Sequence, residues 1–148
     1  QLHAVELDEG AEIPPLDGYD ALWVMGGPMD TWQEAQHPWL RAEKAAIRRA
    51  VRELGMPYLG FCLGHQLLAD ALGGQVALAA EPEVGVLPVA RSAQASPFLD
   101  GVPERFDVLQ WHSAEVKQTP DDAVVLASSP RCAVQAMSVG PRAFSMQF

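Results

Sequence analysis

Cys62 lies between two glycines in Gly60-Phe61-Cys62-Leu63-Gly64, and Gln66 comes four positions after it. A Gly-x-nucleophile-x-Gly run is an elbow that lifts a reactive side chain off the end of a strand. Its glycines remove the Cβ atoms that would clash in so sharp a bend. Here the nucleophile is a thiol. A helix starting beneath the sulfur would aim unpaired N–H groups and the positive end of its dipole at the thiolate, favouring the ionised form. The N–H of Leu63, one residue past the nucleophile, is then placed to hold a developing oxyanion. A second loop, Gly26-Gly27-Pro28, ends an apolar run. Its glycines let the backbone approach a ligand closely, which makes Gly26 a candidate substrate contact and Gly27 a candidate second oxyanion donor. Cys132 has no such glycines and reads as a small buried apolar residue.

These residues need elements to hold them. Ala21 to Met25 is unbroken apolar sequence and predicts a strand buried on both faces of a parallel sheet, stopping at Gly26. Trp39 to Leu54 places Leu40, Ile47, Ala50, Val51 and Leu54 on one helical face, with Pro38 at its start and Gly55 at its end. Pro57 to Phe61 predicts the strand that enters the elbow, and Gln66 to Leu72 a helix beyond it. Leu2 to Leu7 predicts a further strand. Short strand candidates continue at Val84 to Val89, Phe106 to Trp111, Val124 to Ala127, Ala133 to Met137 and Arg142 to Phe148, separated by Pro, Gly and Asp. The expected fold is α/β: a doubly wound, mostly parallel sheet with flanking helices and an antiparallel extension.

Composition narrows the function. A chain of 148 residues with 49% hydrophobic and 20% charged residues is globular, and its net charge of −9 argues against binding a nucleic-acid backbone. The basic residues from Arg41 to Arg52 alternate with Glu43 and Glu53 and read as a solvated helix face. Two cysteines seventy positions apart make no disulfide framework, and a reducing, cytoplasmic setting is expected. No apolar run is long enough to cross a membrane as a helix. Asp121-Asp122 and Glu81/Glu83 flank prolines in predicted loops and do not read as a metal site, and no phosphate loop or cofactor motif is present.

The motifs together resemble the class I glutamine amidotransferases, most closely their stand-alone, GMP-synthase-like branch, over nearly the whole chain. Gly60-Phe61-Cys62-Leu63-Gly64-His65-Gln66 is similar to that family's nucleophile motif, and Gly26-Gly27-Pro28-Met29-Asp30 to its oxyanion loop. Gln110-Trp111-His112-Ser113 resembles the segment beside the bound glutamine. The resemblance implies hydrolysis of the glutamine side-chain amide through a Cys62 γ-glutamyl thioester, with Gln66, His112 and Ser113 contacting substrate. It also implies no cofactor, and it allows a separate ammonia-accepting synthase as partner.

A cysteine nucleophile needs a base. Of His3, His37, His65 and His112, the last is the stronger candidate, with pocket lining as its alternative role. His65, three positions after Cys62 at a bend, is the weaker one. The family places His-x-Glu directly after a strand ending in Gln-Phe, and this sequence ends Gln147-Phe148. The expectation is therefore one domain over residues 1–148, trimmed at both ends. Two alternatives stand beside the enzyme reading: a glutamine-binding or regulatory module with an incomplete triad, and a γ-glutamyl peptide hydrolase.

Overall fold

Three short strands lie side by side in parallel, and each ends at a segment that the sequence marks for chemistry or places next to it. The computed structural model describes residues 1–93 and 96–148. The elements are β1 (Leu22–Val24), α1 (Trp39–Arg48), β2 (Tyr58–Phe61), α2 (Leu63–Ala71), β3 (Gln75–Arg91), β4 (Arg105–Gln118), β5 (Ala123–Ser128), β6 (Ala136–Val139) and β7 (Ala143–Met146). They form one seven-stranded sheet in the order β1-β2-β7-β6-β5-β3-β4. β2 pairs in parallel with both β1 and β7, so Gly26-Gly27, Cys62 and Gln147 emerge from the same carboxyl edge. Open α/β sheets bind ligands at that edge.

The α/β class is as read from the sequence, but the sheet is mixed. The parallel ladder covers β1, β2 and β7, and the remaining pairs are antiparallel. α2 packs beneath β1, β2 and β7, and α1 packs on α2. Leu40, Ile47, Leu67 and Leu68 are fully buried there with Val24, Tyr58 and Ala143, and each large aliphatic side chain contributes about 2 kcal/mol of burial. The opposite face carries a second cluster around Val89, Leu126 and Ala136, where the Phe98 and Phe144 rings stack.

Several sequence expectations change. Leu2–Leu7 forms no strand: it pairs with no strand among the described residues, Leu2 is exposed, and a 3₁₀ turn occupies Leu7–Glu9. β1 is buried on one face only. It ends the sheet, and Trp23 and Met25 are 61% and 63% exposed on the side away from α2. The helix expected to reach Leu54 is α-helical to Arg48 and widens to a π turn at Arg49–Glu53, closed by the Leu54 N–H bonding the Arg49 carbonyl. That widening turns Leu54 outward, so it is exposed rather than core. Of the short strands of the second half, Val84–Val89 and Phe106–Trp111 lengthen into the β3–β4 hairpin, and the other three stand as β5, β6 and β7. The hairpin's ladder shifts register between Leu78 and Glu83, so Ala79–Pro82 bulge across from Ser113. Glu83, expected in a loop, is a buried strand residue.

Most of the basic residues along α1 and the π turn after it are paired. Lys44 bridges Glu34 and Asp70, Arg41 pairs with Glu34, Arg49 with Asp17, and Arg52 with Asp122. No described helix is long and apolar enough to cross a membrane.

Candidate active site

Cys62 has φ +50° and ψ −104°, and it is the one non-glycine residue with positive φ among the described residues. Such a conformation costs of order 1–3 kcal/mol and persists only where the surroundings impose it. Here they do. The Cys62 N–H bonds the Met146 carbonyl at 2.9 Å, its carbonyl accepts the first helical bond from the Gln66 N–H, and the Tyr58 hydroxyl donates to the Gly64 carbonyl at 2.8 Å. The flanking glycines are sterically required. A Cβ on Gly60 would stand 2.7 Å from the Gly64 oxygen, and one on Gly64 only 2.2 Å from the Val24 oxygen.

The loop after β1 closes over this bend. A Cβ on Gly26 would lie 3.3 Å from the Cys62 Cβ, and one on Gly27 would meet Leu63 Cδ2 at 3.0 Å. Cys62, Gly27, Gln66, His112 and Ser113 line a cleft of about 300 Å³ together with Trp111. A larger apolar groove of about 540 Å³ runs between the N-terminal segment and α1, lined by Ile13, Leu16 and Trp39, and contains no nucleophile.

Behind the sulfur the polar groups are joined. Gln66 Nε2 donates to the Ala114 carbonyl at 3.2 Å and to Gln147 Oε1 at 3.0 Å, and Gln147 Nε2 donates to Cys62 Sγ at 3.7 Å. Burial pushes the Cys62 thiol up, against the pull of the Leu63 N–H and the Gln147 amide. The favoured thiolate expected from the helix start alone is therefore outweighed by desolvation. Beyond Ala114, His112 Nδ1–H donates to that same carbonyl at 3.0 Å, and its Nε2 faces Glu83 Oε2 at 3.2 Å. Glu83 also accepts from Ser129 Oγ–H and Gln135 Nε2–H, both at 2.7 Å.

The sequence matches the family "Glutamine amidotransferase class-I" over residues 1–148. The chain belongs to the class I glutamine amidotransferases.

Its curated relatives include the glutamine-hydrolyzing GMP synthase of Aeropyrum pernix, 37% identical across 97% of this chain and 28% of that one. A glutamine-hydrolyzing GMP synthase subunit from Saccharolobus solfataricus is 34% identical across 92% of this chain and 72% of its own length. Among solved structures, a glutamine amidotransferase from Thermotoga maritima superposes with a TM-score of 0.88 at 29% identity, covering 97% of this chain and 62% of that one. The chain thus spans about a quarter of the Aeropyrum enzyme and under two thirds of the Thermotoga structure.

In this amidotransferase the histidines are all engaged away from the sulfur. His65 is fully buried, its Nδ1 accepting from Ser145 Oγ–H at 2.9 Å and its Nε2–H donating to the Val134 carbonyl at 3.1 Å, so it braces α2 against β7. His112 turns both nitrogens into the wall of the cleft, onto Ala114 and Glu83. His3 contacts Tyr19, and His37 lies against the Trp39 ring. Both His65 nitrogens are hydrogen-bonded, and the His112 Nε2, which has no hydrogen-bond partner, faces Glu83.

Two members of the site escape sequence reasoning. In the sequence Gln147 is only a landmark of the family pattern, and its pairing to Cys62 depends on β7 lying beside β2, which spacing does not reveal. Glu83 is hidden by the neighbouring Pro82 and the bulge. Glu83, His112 and Cys132 form the one group of metal-type donors within mutual reach among the described residues, their atoms all within 4.8 Å. Two of the three are otherwise occupied: Glu83 accepts two hydrogen bonds, and the Cys132 thiol, pushed up to about 12 by burial, donates to the Val134 carbonyl.

Proposed function

We propose that this chain hydrolyses the side-chain amide of glutamine to glutamate and ammonia. The observation that carries the reading is Cys62, held at φ +50° at the floor of the cleft between the Gly26-Gly27 loop and the start of α2. The Cys62 thiolate attacks the amide carbon, and the N–H groups of Leu63 and Gly27 hold the oxyanion. Ammonia leaves with a proton, giving a γ-glutamyl thioester; water then cleaves the thioester to glutamate and regenerates the thiol. Gly26, Ser113 and the wall at His112 contact the amino-acid end of the substrate, and Gln66 orients the groups behind it. Among the described residues no histidine hydrogen-bonds Cys62 to serve as its base.

Relatives that are themselves GMP synthase subunits support a separate ammonia-accepting synthase as partner. Val84 and Trp111, exposed at the mouth of the cleft, offer such a partner apolar surface where ammonia departs. Two free cysteines support a cytoplasmic setting.

The test is ammonia release from glutamine by the full-length protein, together with peptide mapping after treatment with an electrophilic glutamine analogue. One adduct on the Cys62 peptide and loss of turnover by roughly a thousandfold or more in Cys62→Ser are expected. Ammonia release that survives Cys62→Ser would overturn the reading.

A further inference from the structure

The amide of Gln147 has no role in glutamine hydrolysis as described, yet its placement is unusually well defined. The side chain is 1% exposed, and both of its polar atoms are engaged. Its Nε2–H points at Cys62 Sγ, 3.7 Å away, an ordinary length for a donor to sulfur, and its Oε1 is held at 3.0 Å by Gln66 Nε2. The backbone is fixed as well, by the Gln147 N–H bonding the Gln135 carbonyl at 2.8 Å. A primary amide in the neutral protein has one orientation here. Rotating it by half a turn would set its NH₂ against the Gln66 NH₂. Gln66 is fixed in turn, because it also donates to the Ala114 carbonyl at 3.2 Å.

We infer that Gln147 is a positioning residue for the nucleophile: its amide, locked by Gln66, presents an N–H to Cys62 Sγ that stabilises the thiolate and fixes the direction of the sulfur lone pair used in attack. A hydrogen bond to an ionised acceptor is roughly twice as strong as one between neutral groups, so the contact favours the thiolate over the thiol. Burial opposes ionisation at this site, and the Leu63 N–H and the Gln147 amide are the groups that offset it. Asp30 and His112 are the titratable side chains that share the cleft with Cys62, and His65, on α2 behind it, is tied to Ser145 and Val134. The acceptor of the Gln66 amide, the Ala114 carbonyl, belongs to the wall that receives substrate. The string Ala114–Gln66–Gln147–Cys62 therefore joins the binding surface to the sulfur.

The consequence for turnover rests on the glutaminase reading, but the decisive measurement does not. The rate of Cys62 alkylation by iodoacetamide is measured against pH in the full-length protein, with Cys132 replaced by serine. In Gln147→Met the midpoint of that profile should move to higher pH. Alkylation at pH 7 should fall by about fivefold while the plateau at high pH is unchanged. Gln147→Asn, which keeps an amide but is one methylene too short to reach, should behave like Gln147→Met. Turnover of glutamine should lose kcat with little change in KM. An unshifted alkylation profile in folded Gln147→Met overturns the inference. Should the variants fail to fold, the side-chain amide resonances of Gln147 in the parent protein decide. They must move as Cys62 titrates, and immobile resonances overturn the inference equally. A protein that releases no ammonia but shows the shifted profile removes the glutaminase reading and leaves the role of Gln147 intact.

Discussion

At Gly64 the fold tolerates no side chain. The Val24 carbonyl sits where a Cβ would fall, 2.2 Å away and on backbone that cannot swing aside. Gly64→Ala is therefore expected to destabilise by at least about 3 kcal/mol, read as a lowered urea midpoint or as insoluble protein. Gly27→Ala should behave differently. Its Cβ would meet the ends of the flexible Leu63 and Met29 side chains at 3.0 Å, so the fold should survive with a loss near ~1 kcal/mol while substrate turnover falls much further. The measurement is thermal melting beside ammonia release, and equal damage to both would argue against a site at Gly27. The elbow itself is legible in the sequence, because two glycines around a cysteine after an apolar strand suit little besides a raised nucleophile. The ionisation of Cys62 is less so. A helix start is visible in sequence, but the amount of protein that closes over the sulfur is not, and burial dominates. Alkylation of Cys62 should accordingly keep rising above the ordinary thiol value of 9.0.

Among the elements, β1 and β2 are readable in outline, since their apolar runs and nearby glycines are local signals, while β7 is readable only as a strand. That β7 returns from the end of the chain to lie beside β2 is a long-range fact, and this adjacency brings Gln147 to Cys62. The β3–β4 hairpin is legible only in fragments. Ala79, Ala80, Glu81 and Pro82 interrupt the apolar alternation, so the sequence suggests a loop where a bulged strand runs on. With that loop goes Glu83, whose carboxylate gathers Ser129, Gln135 and His112 behind the cleft wall. Replacing it with leucine removes the acceptor of Ser129 Oγ–H and one of the two acceptors of Gln135 Nε2 and is expected to cost about 2 kcal/mol, whereas Glu83→Gln, which keeps one carbonyl, should cost less. Urea unfolding of the two variants separates them, and equal stability would mean that the network carries little energy.

Across the whole molecule, the buried His65 and the half-buried Glu43 give pH opposite effects. His65 is pushed down from 6.5 to about 4 by burial, so below pH 6.5 the unfolded chain binds a proton that the folded chain refuses, and stability falls by about 2 kcal/mol on going to pH 5. Glu43 is raised from 4.5 to about 7 by burial, so the folded chain keeps its proton where the unfolded chain releases it, and stability falls by about 2 kcal/mol from pH 5 to pH 7. The two nearly cancel over this window. Glu43→Gln should uncover the His65 contribution, giving a urea midpoint that climbs between pH 5 and pH 7 where the parent is nearly flat. A flat profile in that variant would place the titrating histidine outside the core. Neither group can be found from sequence, because both depend on how tightly α1, α2 and β7 close on one another. The bulge at Ala79–Pro82 carries a different consequence. The ladder is in register on both sides of it, from Val76 to Leu78 and from Glu83 to Ala90, so the number of residues between these points is decoupled from the sheet. Pro82 already forms part of the cleft rim. Length changes at this one place would resize the mouth of the cleft without moving Cys62, which β2 and α2 hold from the other side.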